Sequence, residues 1–352
     1  MTGTRVGAGV AMMAAGVMMG GLMASGGAAA RDLTVVGFGG ALQDAMRQAY
    51  FQPYGQAKGQ PLIEESYTGG IAKLKAMNQS RTVTWDVLQM DENEMSLACD
   101  EGLLEKFDWK TQANAAEIIP QAQAPCGVGA FVWSEILAFD AARTANGPRS
   151  WADFWDVARW PGKRGLRKQA RMTLEVALLA DGVAPEKVYD VLGTKAGVDR
   201  AFAKLDQLKP HIRWWVSGAQ PAEWLAAGNV AMTTAYNGRI ASANQDGRNF
   251  AMVWTQQLYS MDYWTIPKGT ENLKQARDLV AHMTGAEPQK RFAGTIPYGV
   301  TNTRASALID AAIQTNLPTA PQNMRGALML DTPFWVDKEE ELQLRFERWV
   351  AQ

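Results

Sequence analysis

A chain of 352 residues with 47% apolar content can bury a large core, and does so more easily as two domains than as one. Its 35 basic and 36 acidic side chains nearly cancel. No stretch is basic enough to track a phosphate backbone, so nucleic acid is not an expected partner.

Residues 1 to 30 begin with one basic residue, Arg5, continue through Ala, Gly, Val and Met, and end in SGGAAA before Arg31 and Asp32. That is the pattern of a secretory signal with an A-x-A site at Ala28-Ala29-Ala30, and cleavage is expected after Ala30. The other reading is an uncleaved anchor, which the marginal length and the high Gly and Ala content oppose. No later segment reaches about 18 consecutive apolar residues, so a soluble, exported mature protein is expected. Export makes the cysteines informative. Cys99 and Cys126 are the only two, and an oxidising compartment favours their joining. The alternatives are a pair of buried thiols or a two-Cys metal site, and the latter lacks nearby His partners.

After residue 30, LTVV (33 to 36) reads as a short buried strand, GFGG (37 to 40) as a turn, and ALQDAMRQAYFQPY as a helix with apolar residues at helical spacing. GFGGAL fails the dinucleotide fingerprint, because Leu42 stands where the third small residue belongs. The glycines still allow a ligand to approach a helix N-terminus, with Phe38 either over that ligand or in the core. PLIEESYTGG gives a second strand, IAKLKAMNQS a helix, and WDVLQMDENE a third strand leading to Asp91. This alternation predicts a parallel sheet with right-handed crossovers, so the loops near Thr68 and Asp91 share one edge with Phe38. A helix around SLACDEGLLEKF follows, then CGVGAFVWSEILAFD, whose apolar run from Val128 to Phe139 reads as a strand pair or a crossing strand.

AARTANGPRS breaks the pattern, and Ser150 with Asp153 caps the helix SWADFWDVARW. WPGKRGLRK reads as turns, RMTLEVALLADG as a helix ended by Gly182, and VDRAFAKLDQLKPHI as another helix. HIRWWVSGAQ supplies a strand and turn before the helix PAEWLAAG; NVAMTTAYNGRI and FAMVW supply further strands; SMDYWTIP returns toward the first domain. The stretch from Met232 to Lys268 thus places Tyr236, Arg239 and Asp262 beside strand ends, where open α/β sheets hold ligands.

The succession EGLLEKFDW, CGVGAFVWS, SWADFWD, WPGKRGL, LEVALLADGVAPEKVYD, WWVSGAQPAEWL, YNGRI, MDYWTIPKGTEN and IPYGVTNTRA resembles the periplasmic solute-binding proteins of ABC transporters, extracellular solute-binding family 1 like, and among them the spermidine/putrescine-binding type. The resemblance spans nearly all of the chain after residue 30. It implies an α/β, type II two-lobed fold, each lobe a mixed, mainly parallel sheet flanked by helices, with hinge crossovers. The expected lobes are 31–135 with 258–310, and 136–257 with 311–352. Such a protein is a periplasmic monomer that captures a small amine or amino acid, hands it to an inner-membrane permease, uses no cofactor and does no chemistry.

Site positions carry over residue by residue. Tyr236, before Asn237-Gly238, matches an aromatic that stacks on the ligand, and Asp262 in SMDYW matches a carboxylate that takes an amine. Glu175 in LEVAL resembles a second acid from the other lobe, and Tyr298 in IPYGVTN an aromatic wall. Each has a plainer alternative: Asn-Gly as a hairpin turn, Glu175 on a solvated helix face, Tyr298 in ordinary loop packing. The chain also departs from the polyamine pattern. GFGGAL lacks the Tyr and acidic residues often found after strand one, and Met172 stands where an acid often precedes the helix of Glu175. Arg239 would repel a di- or tricationic ligand, whereas it would clamp a carboxylate. Two readings stay open. In one, Arg239 and Asp262 hold the ends of an ω-amino acid such as 4-aminobutyrate, with methylenes against Tyr236, Phe38 or Trp215. In the other, Arg239 pairs with an internal Asp and the ligand is a polyamine.

A sugar-binding protein is a further alternative, since Trp faces suit sugar rings. A hydrolase or lyase is opposed by the absence of G-x-S-x-G and H-E-x-x-H, and by only two His residues, His211 and His282. Glu64 and Glu65 are neighbours on a strand and point to opposite faces, which makes a poor acid/base pair.

Overall fold

Short apolar runs bounded by glycines, alternating with helical periods, form ten strands in the computed structural model, which describes residues 31–112 and 114–352. The expected signal segment and its cleavage site lie outside the described residues. The strands are β1 (Thr34–Gly37), β2 (Ile63–Ser66), β3 (Val87–Asp91), β4 (Gln123–Ala124), β5 (Gly127–Asp140), β6 (Arg164–Arg167), β7 (Ile212–Trp215), β8 (Met232–Tyr236), β9 (Phe250–Thr265) and β10 (Leu328–Met329). They make one sheet in the order β2-β1-β3-β9-β5-β8-β6-β7, with β10 beside β9 and β4 beside β5. Two parallel trios stand at its ends, β2-β1-β3 and β8-β6-β7. The long strands β5 and β9 run antiparallel between them and belong to both.

Burial follows position in this order. The central strand β1 is buried along its length, as a strand covered on both faces must be, and the edge strand β2 is half exposed. The long apolar run beginning at Gly127 is one crossing strand and not a pair. FAMVW and SMDYW are likewise a single strand, β9, interrupted by an irregularity. Glu135 pairs with Leu258 and Leu137 with Val253, so β9 carries the extra residues, among them Gln256 at φ 55°. A bulge of this kind bends and twists a strand without ending it.

Three local expectations change. WPGKRGLRK contains strand β6, not only turns. Its basic residues look like surface, yet Arg164 is fully buried, because its guanidinium donates to the carbonyls of Phe154 (2.7 Å), Trp160 (2.7 Å) and Gly162 (2.9 Å). Asn237-Gly238 opens the helix Asn237–Gln245 instead of a hairpin. The helix Glu92–Asp100 starts at once after β3, with the Asp91 side chain accepting the Glu94 N–H at 3.0 Å. The expected cap does form at Ser150, which accepts from Asp153 N at 3.2 Å, although the helix is only Trp151–Trp155.

The chain beyond β9 covers both halves. The helix Leu273–Met283 packs on β3, and the helix Ala286–Thr295 packs on the helical stretch Arg47–Phe51 that follows β1, with Phe292 stacked on Tyr50 at 5.2 Å. The final helix, Thr332–Ala351, lies on the second, where Phe346 meets Trp214 edge-on at 5.3 Å. No helix among the described residues is long and apolar enough to cross a membrane.

Cys99 and Cys126 are joined, with Cα atoms 5.7 Å apart and a sequence separation of 27. The bridge ties the end of the helix Glu92–Asp100 to the start of β5. The chain-entropy model assigns a loop of this size about 3–4 kcal/mol. Urea unfolding of the oxidised and reduced protein should therefore differ by a few kcal/mol, and superimposable curves would show that the bridge contributes nothing.

Candidate ligand-binding site

The C-terminal ends of the parallel strands converge, as expected of an α/β sheet. β1 delivers Phe38, β2 the loop Tyr67-Thr68-Gly69, β3 Asp91, β6 Arg167, β7 the loop Val216-Ser217-Gly218, and β8 Tyr236. The crossing strands add Phe131, Trp133 and Asp262, and a late loop adds Tyr298. Together they enclose a cavity of about 510 Å³, within the roughly 300–1,000 Å³ of small-molecule sites.

Strand register explains why Asp262 faces inward. On an antiparallel pair, opposed residues share a face. Asp262 lies opposite Asp91 of β3 on one side and Phe131 of β5 on the other, and all three line the cavity. A register shift between Gly129 and Phe131 sets that alignment. The Asp262 carboxylate is buried, with its oxygens accepting from Gln89 Nε2 at 2.5 Å and Trp133 Nε1 at 2.7 Å. No cation pairs with it within 4.0 Å among the described residues. Burial pushes its carboxyl up to about 7, the two hydrogen bonds pull the other way, and the charge of Asp91 pushes it up further.

Asp91 is neutralised across the cavity. Arg171, buried, places Nη1 3.3 Å from Asp91 Oδ2. The turn that presents it contains Met172 at φ 70°, a left-handed conformation that costs a branched or long side chain about 1–3 kcal/mol.

The opposite charge enters from the second trio. Arg239 lies in the first turn of the helix Asn237–Gln245, and its Nη2 donates to Gly39 O at 3.1 Å. It has no carboxylate within 4.0 Å among the described residues, so the expected alternative of an internal Asp partner does not hold. Glycine suits the position beneath it, because Gly40 has φ +61°, and a Cβ there would also come within 2.5 Å of Arg239 Nη1 and push the guanidinium aside. Arg167, at the end of β6, donates to the Tyr236 hydroxyl, sits 5.5 Å from the Trp215 ring and 5.6 Å from that of Tyr236, and feels the charges of Glu135, Asp91 and Glu94. Burial pulls its guanidinium below the usual range.

Rings supply the walls. Phe38 stacks on Tyr67 at 5.0 Å, Trp133 meets Tyr236 edge-on at 5.3 Å, and Tyr298 stacks on Phe131 at 4.8 Å. Asn237 fixes this wall: its Oδ1 accepts from Ser134 N at 3.1 Å and its Nδ2 donates to Pro297 O at 2.7 Å.

Six of the eight expected ligand residues therefore line one cavity: Phe38, Asp91, Tyr236, Arg239, Asp262 and Tyr298. Two do not. Glu175 is fully buried on a helix buried along its whole length, and its Oε1 accepts from Trp335 Nε1 at 2.7 Å and the Tyr189 hydroxyl at 3.0 Å. It is neither a cavity acid nor a solvated one; it anchors the final helix. Trp215 stands behind Tyr236, its ring 5.8 Å away and its Nε1 on Thr234 Oγ1 at 3.2 Å, so it supports the wall without forming it. The amide after Phe38 is also occupied, since Gly39 N donates to the Gln43 side chain at 3.2 Å. Arg167, Arg171, Glu94, Tyr67, Phe131 and Trp133 line the cavity without having been singled out from sequence.

Residues 49–320 match the family model described as bacterial extracellular solute-binding protein. The chain is 48% identical over 325 residues to the gamma-aminobutyric acid-binding protein of Pseudomonas aeruginosa PAO1, covering 92% of each. Among solved structures, the Atu4243-GABA receptor superposes with a TM-score of 0.81 at 31% identity, covering 92% of this chain and 98% of the receptor. The PBP MotA of A. tumefaciens B6, in complex with glucopine, gives a TM-score of 0.84 at 30% identity, covering 91% and 100%. This chain belongs to the bacterial extracellular solute-binding protein family.

Proposed function

We propose that this protein is the periplasmic binding component of an ABC transporter and that its ligand is 4-aminobutyrate or a close ω-amino acid. The observation that carries the reading is a cavity with a carboxylate lacking a cation, Asp262, and a cation lacking a carboxylate, Arg239. A buried charge without a partner is costly, as at Asp262, and a zwitterion with separated ends gives that carboxylate a cation and half-buried Arg239 an anion. In this reading the ligand carboxylate meets Arg239, the ammonium meets Asp262, and the methylenes lie against Tyr236, Phe38 and Tyr67. A diamine would bring an ammonium to Arg239, which like-charge repulsion opposes. The GABA-binding relative supports this choice over a polyamine.

Closure follows from where the contacts sit. We read the register shift at Glu135 and Leu258 as the hinge between lobes 31–135 with 258–310 and 136–257 with 311–352. Asp262 then belongs to the first lobe, and Tyr236 and Arg239 to the second. A ligand bridging them favours the closed state by its differential affinity, and the permease reads that state.

Calorimetric titration of refolded protein should show tight binding of 4-aminobutyrate and little response to putrescine or spermidine. Arg239→Ala and Asp262→Ala should each weaken binding by about 2–5 kcal/mol, while unfolding as cooperatively as wild type. Tight putrescine binding with no response to 4-aminobutyrate would overturn the ligand assignment, and unchanged affinity in both variants would overturn the site.

The pH dependence has a definite sign. An ammonium pairs with ionised Asp262, whose carboxyl lies at about 7 without a cation. Affinity should be full above pH 7 and fall about tenfold per unit below it, with protons released on binding near pH 7. The ligand-free protein behaves oppositely. Its raised Asp262 holds a proton more tightly than the unfolded chain does, so this group's contribution to stability falls as pH rises from about 4 to 7. Affinity that stays flat between pH 5 and 8 would remove Asp262 from the ammonium subsite.

A further inference from the structure

Glu94 has a part in the cavity that the reading above does not use. It stands at the third position of the helix that Asp91 caps, and it lines the cavity together with Asp91 and Asp262. Its Oε1 accepts the Gly70 N–H at 2.6 Å, while Oε2 is closed off from solvent and has no hydrogen-bond partner among the described residues. The neighbouring loop is shaped around it. Gly69 and Gly70 have φ of +97° and +87°, and a Cβ on Gly69 would come within 2.8 Å of Glu94 Oε1. Three carboxylates thus meet at one end of the cavity. Arg171 is the cation bonded among them, occupied by Asp91 at 3.3 Å, and Arg167, bound to the Tyr236 hydroxyl, reaches Asp91 and Glu94 only through its longer-range charge.

We propose that Glu94 is a specificity-determining residue whose carboxylate turns α-amino acids away from this site. The inference rests on the reading that the ligand is an ω-amino acid with its ammonium at Asp262. 4-Aminobutyrate and glutamate share one chain and both ends, and glutamate adds a carboxylate on the carbon that bears the ammonium. In this cavity the added group would sit among Asp91, Glu94 and Asp262. Like charges brought together out of water cost several kcal/mol, and specificity between near-identical ligands is commonly built from such repulsion. Burial, then the charge of Asp91, push the Glu94 carboxyl up to about 8, so its repulsion acts in full only above that pH, and an ammonium seated beside it would favour the ionised form. Selection is then repulsive at both ends: Arg239 against diamines, Glu94 against α-amino acids.

The test is calorimetric titration of refolded wild type, Glu94→Gln and Glu94→Asp with 4-aminobutyrate and with L-glutamate. Wild type should bind the first and reject the second. Glu94→Gln, which removes the charge and keeps the shape, should lower the preference for 4-aminobutyrate at least tenfold, whereas Glu94→Asp, which keeps the charge, should retain it. A Glu94→Gln protein that melts like wild type with the preference unchanged would overturn the assignment while leaving the ligand reading intact. Should that variant fail to fold, loss of the preference in a folded Glu94→Asp protein, or glutamate binding to wild type as tightly as 4-aminobutyrate, would overturn it too. Wild type binding neither compound would sink the ligand reading itself, and this inference with it.

Discussion

Two aspartates directly opposite each other on adjacent strands are the constraint on which the cavity depends. Asp91 ends β3 and Asp262 lies within β9, paired Cα to Cα. Residues so placed have Cβ atoms about 4.5–5.5 Å apart, and like charges there are destabilising. The protein resolves the conflict unequally. Asp91 receives a guanidinium, Arg171, brought from β6 on the far side of the cavity by a turn with Met172 at positive φ. Asp262 receives only neutral donors, the side chains of Gln89 and Trp133. Those hydrogen bonds hold the carboxylate in place without cancelling its charge, so one cation is still wanted at that spot.

The donors to Asp262 are themselves fixed by the sheet. Gln89 lies two residues before Asp91 on β3, and Trp133 lies two residues beyond Phe131 on β5, so both share the cavity face with Asp262. Trp133 also presents its ring to Tyr236, and the residue after it, Ser134, gives its N–H to Asn237. One short piece of β5 therefore orients the carboxylate, the aromatic wall and the first turn of the helix that carries Arg239. The register shift beyond Glu135 begins two residues farther on. In the proposed hinge reading, a small bend there would change how Arg239 stands to Asp262 more than anything within either half.

Much of this was legible in the sequence because it depends on local chemistry. The apolar runs of β1, β3 and β8 ended in Phe38, Asp91 and Tyr236, and the rule that parallel strands present ligands at their C-terminal ends was enough to bring these together. What failed to show was set by distant neighbours. Arg164 lies in a stretch read as turns, and nothing local announces that the carbonyls of Phe154, Trp160 and Gly162 gather around it. Glu175 carries no local sign that its partners are Tyr189 and Trp335, the latter 160 positions away. Arg167 and Arg171 lay in a segment read as turns and the start of a helix, and their role appeared only once β6 was seen beside β8.

Arg239 shows how a departure from a family pattern can carry more information than a match. The aromatic and acidic positions suit any amine and do not separate a polyamine from an amino acid. A guanidinium at the first helical turn after β8, with glycines at 40 and 218 close against it, does separate them, because its charge is fixed at any physiological pH. Carboxyl groups in this cavity can take up a proton and fall silent; a guanidinium cannot. In the proposed reading the ligand brings negative charge to that end whatever the state of the acids opposite, and its positive charge at Asp262 favours the ionised form of that carboxyl. A separated zwitterion satisfies both demands at once, and the distance between the two ends of the cavity, set by the width of three paired strands and one helix turn, then limits how long its chain can be.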